Sequence, residues 1–439
     1  MSTASTAKPI GGPASAVHTR REVVLILVFA FLGTLFDGAE LNLVGYPLAY
    51  ISDTLHVTTI QIIQVSTLQG FASIAGGILF GWLGDLLGRR RTYAISVLLF
   101  GIAAILGGIA PTYLLFLLSR LVAGVGMGGL FGLSFSMFAE CWKTRRRGAM
   151  GGSIQAMYFV GEILTEGAIY FCIRGLGPDA GWRAGYVLIG SGTVVIAVLA
   201  AFLLPESRQW RAYQDELRAD RLPQELRRNK VPLVDLFRRG YALGTVVFIA
   251  LATAMFLTTN SMISYLSTFL IKVEKLSLGT ASLIVLLSLV CTAITYPLGG
   301  ALSDVIRRKW AFFWSCGFGL IGFTWFLVLA LRGTAHIGED FWGYPTFWAL
   351  MLCASACGGF GILGVWMAEF FPTRVRSTGS NTSYYAGRGL GAGVFPLFAL
   401  AVAGTVPLAL ALGIIGPIVG VVLALAAPDS TGRTIQAVE

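Results

Sequence analysis

Charge is what this chain of 439 residues has least of. Only 12% of it is Asp, Glu, Lys or Arg, where an average soluble domain carries about 25%. Histidine is scarcer still. His18, His56 and His336 are the only three, and all fall in the N-terminal tail or in loops, which excludes a buried histidine-based catalytic or metal centre. The six cysteines, at 141, 172, 291, 316, 353 and 357, show no C-x-x-C and no Cys/His ligand spacing. They read as packing thiols, including the i, i+4 pair Cys353 and Cys357. No G-x-x-x-x-G-K-[ST] loop is present, so nucleotide-driven pumping is excluded. No pore-filter motif suggests a channel, and no period-2 alternation suggests a transmembrane barrel. These absences also exclude a disordered, collagen-like or disulfide-scaffold protein, and they argue against any enzyme.

What is present is apolar sequence, 56% of the chain, in runs long enough for about 30 Å of hydrocarbon. Twelve runs are read as transmembrane helices: 22–50, 60–83, 92–110, 113–139, 149–172, 183–204, 241–271, 278–301, 309–331, 345–369, 378–402 and 404–427. The net charge of +10 is distributed as membrane topology demands rather than as a nucleic-acid surface. Of 32 Lys and Arg, 25 lie in the tail, the even-numbered loops and the C-terminus, 5 in the other loops and 2 within spans. That bias places both termini in the cytoplasm. The expected organisation is a disordered cytoplasmic tail (1–21), a six-helix bundle (22–204), a basic, partly amphipathic cytoplasmic linker (205–240), a second bundle (241–427) and a short cytoplasmic tail (428–439). The N-terminal segment lacks the pattern of a cleaved signal peptide. Bilayer lipid and a small-molecule substrate are the expected partners, in a monomer.

Three features recur in register. Gly81, Asp85, Arg89 and Arg90 in GWLGDLLGRRR match Gly300, Asp304, Arg308 and Lys309 in GALSDVIRRKW, 219 residues on. ECWKTRRR, from Glu140 to Arg147, matches EFFPTRVR, from Glu369 to Arg376, 229 residues on. Pro205-Glu206-Ser207 matches Pro428-Asp429-Ser430, 223 residues on. Each pair follows the same span of its half, which predicts a duplicated six-helix unit, a transporter signature. Carboxylates beside arginines at these helix ends suit ion pairs that lock the halves together and release on opening. Gly81 and Gly88 suit close packing or a tight turn.

These motifs resemble the major facilitator superfamily over about residues 22 to 435. GWLGDLLGRRR is similar to that family's loop 2–3 motif, with Leu86 in place of the usual basic residue. Lys143 stands where the second copy of the loop 4–5 motif has Pro372. PESRQW and PDSTGRTI resemble the ends of the sixth and twelfth helices in sugar-porter-like members. The resemblance implies an all-α membrane protein of two pseudo-symmetric six-helix bundles.

Six ionisable residues are intramembrane by position, and such residues are costly unless paired or wet. Asp37 and Glu40 are in span 1, Arg120 in span 4, Glu162 and Glu166 in span 5, and Arg388 in span 11. A carboxyl that alternates between an apolar site and an arginine can couple a proton to conformation; the alternative for Asp37 and Glu40 is a static pair with Arg120. Arg388 suits a substrate carboxylate, or an ion pair between helices. Glu162 and Glu166 share a face and read as proton carriers, cation ligands or vestibule residues. FDGAELNLVG resembles the D-G-[FY]-D of aromatic acid:proton symporters, with Glu40 at the second acidic position and Ala39 replacing the aromatic. Arg120 in SRLVAGVGMGG and Arg388 in GRGLGAGVFP resemble that group's helices 4 and 11.

Polar candidates for the substrate path are Tyr46, Gln155, Tyr158, Asn260, Tyr265, Asn381, Tyr384 and Tyr385, each alternatively helix glue. The expected gate comprises Gly81, Asp85, Gly88, Arg89, Arg90, Glu140, Arg147, Asp304, Arg308, Glu369 and Arg376. The expected function is import of a small organic acid, aromatic acids included, by a proton symporter of a bacterial inner membrane. No cofactor beyond the coupling proton is expected. The same fold carrying an organic cation, amino acid or sugar is the second reading, and an integral-membrane sensor the third.

Overall fold

The computed structural model describes residues 18–142, 144–222, 232–238 and 240–429. Local signals begin many of its helices. Thr19 and Glu22 form a reciprocal capping box, and Thr58 and Gln61 repeat it. Thr112 and Ser277 cap with their hydroxyls, while Pro178 and Pro345 occupy first turns, where a missing N–H costs nothing.

Spans 1 to 6 are Arg20–Leu41, Thr59–Leu87, Arg89–Gly108, Tyr113–Cys141, Arg147–Leu176 and Pro178–Leu203. Spans 7 to 10 are Ala242–Val273, Leu278–Ile306, Arg308–Leu331 and Pro345–Phe370, and span 12 is Val406–Ala426. These eleven are long and apolar enough to cross a bilayer. Span 11 is built differently. Helix Arg376–Arg388 continues through a π-helical stretch, Gly389–Val394, into helix Phe395–Ala403. Its first part, RSTGSNTSYYAGR, is too polar for lipid and does not meet lipid, since every residue but Ala386 is buried. No strand occurs among the described residues.

Several boundaries differ from the apolar runs, and two of the differences have a local cause. Span 1 ends at Leu41 rather than near 50, and a separate short helix, Leu48–Thr54, follows a turn containing Gly45 and Pro47. Span 11 begins at Arg376, two residues before its run, because its carboxylate-capped start is set by the protein interior and not by hydropathy. Within 205–240, Arg208–Arg218 is an amphipathic linker helix and Pro232–Leu236 a short turn of helix. Residues 1–17, 143, 223–231, 239 and 430–439 lie outside the described residues, so most of the N-terminal tail, part of the linker, Lys143, Ser430 and the end of the chain stand there.

The two halves meet along spans 2, 4 and 5 of the first and spans 8, 10 and 11 of the second. The outward faces carry apolar side chains such as Phe202, Leu243, Val305 and Val402, all mostly exposed, as a lipid-facing surface requires. Where span 5 crosses span 8 the backbones nearly touch. A Cβ added at Gly300 would lie 2.1 Å from the Gly148 carbonyl oxygen, so only glycine lets these helices close. Gly300→Val is therefore expected to wedge spans 5 and 8 apart at a cost of about 1–3 kcal/mol. A lower melting temperature, together with faster water-phase labelling of a cysteine introduced at Ser303, checks this.

Candidate functional site between the halves

The end that carries Arg89, Arg147, Arg308 and Arg376 is sealed by two related networks. In the first, Asp85 at the end of span 2 reaches across to the start of span 11. Its carboxylate accepts the backbone N–H of Ser377 at 3.2 Å, that of Thr378 at 2.8 Å and the Thr378 hydroxyl at 2.6 Å. A carboxylate there caps free N–H groups and meets the positive end of the helix dipole. Arg89 donates to the Thr373 carbonyl at 2.7 Å and pairs with Asp85 at 3.1 Å and Glu140 at 3.4 Å. Arg376 binds Glu140 at 2.6 Å.

The second network repeats the first about the pseudo-twofold axis. Asp304 accepts the N–H of Gly148 at 2.7 Å and of Ala149 at 3.0 Å, at the start of span 5. Arg308 binds Asp304 at 2.8 Å and Glu369 at 2.9 Å, and Arg147 lies 3.7 Å from Glu369. Each aspartate thus holds the opposite half by its backbone. Gly81 lies against Ser377 and Thr378, and Gly88 turns between spans 2 and 3 with φ 105°. Arg90 does not join the gate. Its guanidinium donates to the Ala201 carbonyl at the end of span 6, because the turn at Gly88 points it outward.

Residues of the linker complete the seal. Glu206 accepts the N–H of Arg89 at 2.9 Å and of Ser207 at 3.0 Å. The Ser207 hydroxyl donates to Glu140, and the Trp210 indole donates to the Asp85 carbonyl at 3.0 Å. The repeated Pro-acid-Ser signal marks Glu206 and Ser207 in the sequence. Nothing local marks Ser377 and Thr378, which act through their backbone N–H groups and the Thr378 hydroxyl.

At the other end the halves part around a cavity of about 540 Å³. Its walls come from spans 1, 5, 7, 8 and 10. Tyr46, Glu162 and Glu166 line it, joined by Asn42 and Thr259, which sequence reasoning missed. No Lys, Arg or His is among its lining residues. Glu162 is buried with Oε2 unpartnered, whereas Glu166 is exposed. An aromatic floor drawn from both halves lies beneath. Phe159 meets Tyr296 at 5.3 Å, Tyr296 meets Phe360 at 5.9 Å, and Tyr384 stacks on Phe131 at 3.5 Å.

The intramembrane charges separate into two pairs. Glu40 turns into its own half and binds Arg120 at 2.6 Å, with both side chains fully buried. Arg120 also donates to the Ala103 carbonyl at 2.8 Å and lies over the Tyr186 ring. It does not line the cavity, and its donors are engaged behind span 1. Asp37, three residues before Glu40 on the same helix, faces the second half instead. Its Oδ1 stands 3.9 Å from Arg388, beyond hydrogen-bond distance, and both that oxygen and Arg388 Nη2 are buried without a partner.

The polar candidates also divide. Gln155 donates to the Tyr384 hydroxyl at 3.3 Å across the halves. Tyr158 packs edge-on against Phe159. Asn381 donates to the Gly129 carbonyl and accepts the Gly132 N–H, and Tyr385 donates to the Met127 carbonyl. Asn381 and Tyr385 therefore tie span 11 to the broken middle of span 4. Asn260 bonds its own helix at Phe256, and Tyr265 lies in the apolar cluster with Phe269 and Phe326.

The Major Facilitator Superfamily model matches residues 23–290. The chain belongs to this family. It is a membrane transporter and not an enzyme. It is similar to the cis,cis-muconate transport protein of Acinetobacter baylyi, 29% identical over 384 residues, covering 85% of this chain and 86% of the relative. It is similar also to the sialic acid transporter NanX of Escherichia coli, 22% identical over 363 residues, covering 82% and 83%. The proton:xylose symporter XylE shares the fold with a TM-score of 0.73 at 18% identity, over 94% of this chain and 97% of that one.

The Glu40–Arg120 pair supports a stability prediction for this superfamily member. Glu40→Ala leaves a buried guanidinium uncompensated and is expected to cost about 3–5 kcal/mol, while Glu40→Met with Arg120→Met recovers most of it. Melting curves of the three proteins in detergent check the difference.

Proposed function

We propose that this transporter is a proton-coupled symporter that imports a small organic acid by alternating access. The observation that carries the reading is the loose pair Asp37 and Arg388 across the interface of the halves. A guanidinium nitrogen without a partner can take a substrate carboxylate. Asp37 then loses its counter-charge in an apolar site, which favours taking up a proton. With that charge neutralised, the two halves can close over the site at lower cost. Two of the similar proteins are named for organic acids, muconate and sialic acid, which supports the same substrate class.

Orientation follows from charge. The arginine-rich end is assigned to the cytoplasm of a bacterial inner membrane, with both termini inside. The cavity then faces outward, ready to load substrate, while the two aspartate caps hold the inner side shut. The working unit is taken as a monomer that needs no cofactor beyond the coupling proton. Glu162 and Glu166 are assigned as further proton-handling groups of the entry path.

One observation favours a second reading. The cavity walls hold two carboxylates and no basic residue, which suits an organic cation rather than an anion. A thermal-shift screen of purified protein against carboxylates, amines and sugars separates the two, because a ligand of the native state raises apparent stability with occupancy. Stabilisation by carboxylates that is lost in Arg388→Gln supports the acid symporter; stabilisation by amines alone overturns it.

In proteoliposomes, Asp37→Asn is expected to lose proton-driven accumulation and keep substrate counterflow. Full accumulation by Asp37→Asn under an imposed pH gradient removes Asp37 from the coupling.

A further inference from the structure

A second concave site lies at the arginine-rich end, outside the substrate path. It is a groove of about 790 Å³ between the linker helix and the junction of spans 2, 3 and 6. Four arginines line it: Arg90 and Arg91 from span 3, Arg211 and Arg218 from the linker helix. Two acids are also present. Glu206 is occupied by the backbone N–H groups of Arg89, Arg90 and Ser207. Asp215 is exposed on the linker helix, one turn from Arg211 and Arg218. The groove is thus basic on balance.

Three features show that it is built rather than a chance gap. Trp210 forms part of its wall and is fixed by its bond to the Asp85 carbonyl. Arg90 is fixed by its bond to the Ala201 carbonyl. Gln214 turns into the wall with its Nε2 buried and without an acceptor, although buried donors are nearly always paired. The remaining walls are apolar and continue the lipid-facing surface: Leu86, Leu87 and Ile95 are 38%, 45% and 50% exposed.

We infer that this groove binds the headgroup of an anionic phospholipid. The phosphate meets Arg91, Arg211, Arg218 and the Gln214 amide, and the acyl chains lie against Leu86, Leu87 and Ile95. A free phosphate matches the arginines but has no use for the apolar wall, which is why the lipid is the assigned source. Arginine forks suit phosphate oxygens, and basic side chains at a membrane surface each strengthen attraction to anionic lipid. The site does not depend on which substrate is carried.

The test uses the full-length protein in mixed phosphatidylcholine and phosphatidylglycerol vesicles. Lipid that stays bound after solubilisation is counted by mass spectrometry. Wild type is expected to retain phosphatidylglycerol over phosphatidylcholine. Arg211→Gln with Arg218→Gln is expected to lower that preference about tenfold. Arg145→Gln with Arg146→Gln removes the same charge from another loop and is expected to leave the preference intact. Equal loss in both double variants, or no loss in either, overturns the site. Inorganic phosphate that raises the melting temperature of delipidated protein as much as phosphatidylglycerol does overturns the lipid assignment.

Discussion

Two aspartates carry the closed state of this molecule. Asp85 and Asp304 each sit at the end of a span in one half and cap the first turn of a helix in the other. A backbone N–H cannot swing aside as a side chain can, so the contact has a fixed position and direction. It also draws on the dipole of the whole capped helix. The arginines around each aspartate neutralise its charge and tie it to Glu140 or Glu369. Because the networks are related by pseudo-symmetry, they open together only if both halves rotate. A single seal would allow one half to pivot and leak.

The cavity at the far end is the counterpart of that seal. Helices held at one end by caps and by glycine contacts between spans 5 and 8 are free to diverge at the other. The aromatic floor marks where divergence begins, with Phe131, Phe159, Tyr296, Phe360 and Tyr384 filling the middle of the molecule from both sides. Below it Asn381 and Tyr385 are paired to backbone across the interface. Above it Glu162 is not.

The two charge pairs near the middle differ in kind. Glu40 and Arg120 are in direct contact within one half, so the pair moves as part of a rigid bundle. Asp37 and Arg388 face each other across the interface without a hydrogen bond, so their separation changes whenever the halves rotate. Of the two, only the second pair spans the interface. The linker adds a further tie. Glu206, Ser207 and Trp210 bond to the gate residues, so the segment between the halves is part of the closed structure.

Much of this was legible in the sequence by itself. Hydrophobic runs long enough to span, the sidedness of Lys and Arg, and three motifs repeated in register determine the twelve-helix, two-bundle architecture, because lipid admits so few alternatives. The two aspartates that cap the opposite half, and their arginines, were marked by the same repeats. What only the tertiary structure decided was pairing. Asp37 and Glu40 lie three residues apart, yet helical rotation sends one to Arg388 in the far half and the other to Arg120 behind its own helix. Arg90 sits beside Arg89 in the motif, yet a turn at Gly88 sends it out toward lipid. Span 11 is too polar to be a lipid-facing helix and is stable because the other spans enclose it. Sequence position fixes which charges enter the membrane, but the partner each one finds depends on helix rotation and on backbone groups of distant segments, which carry no residue-specific signal.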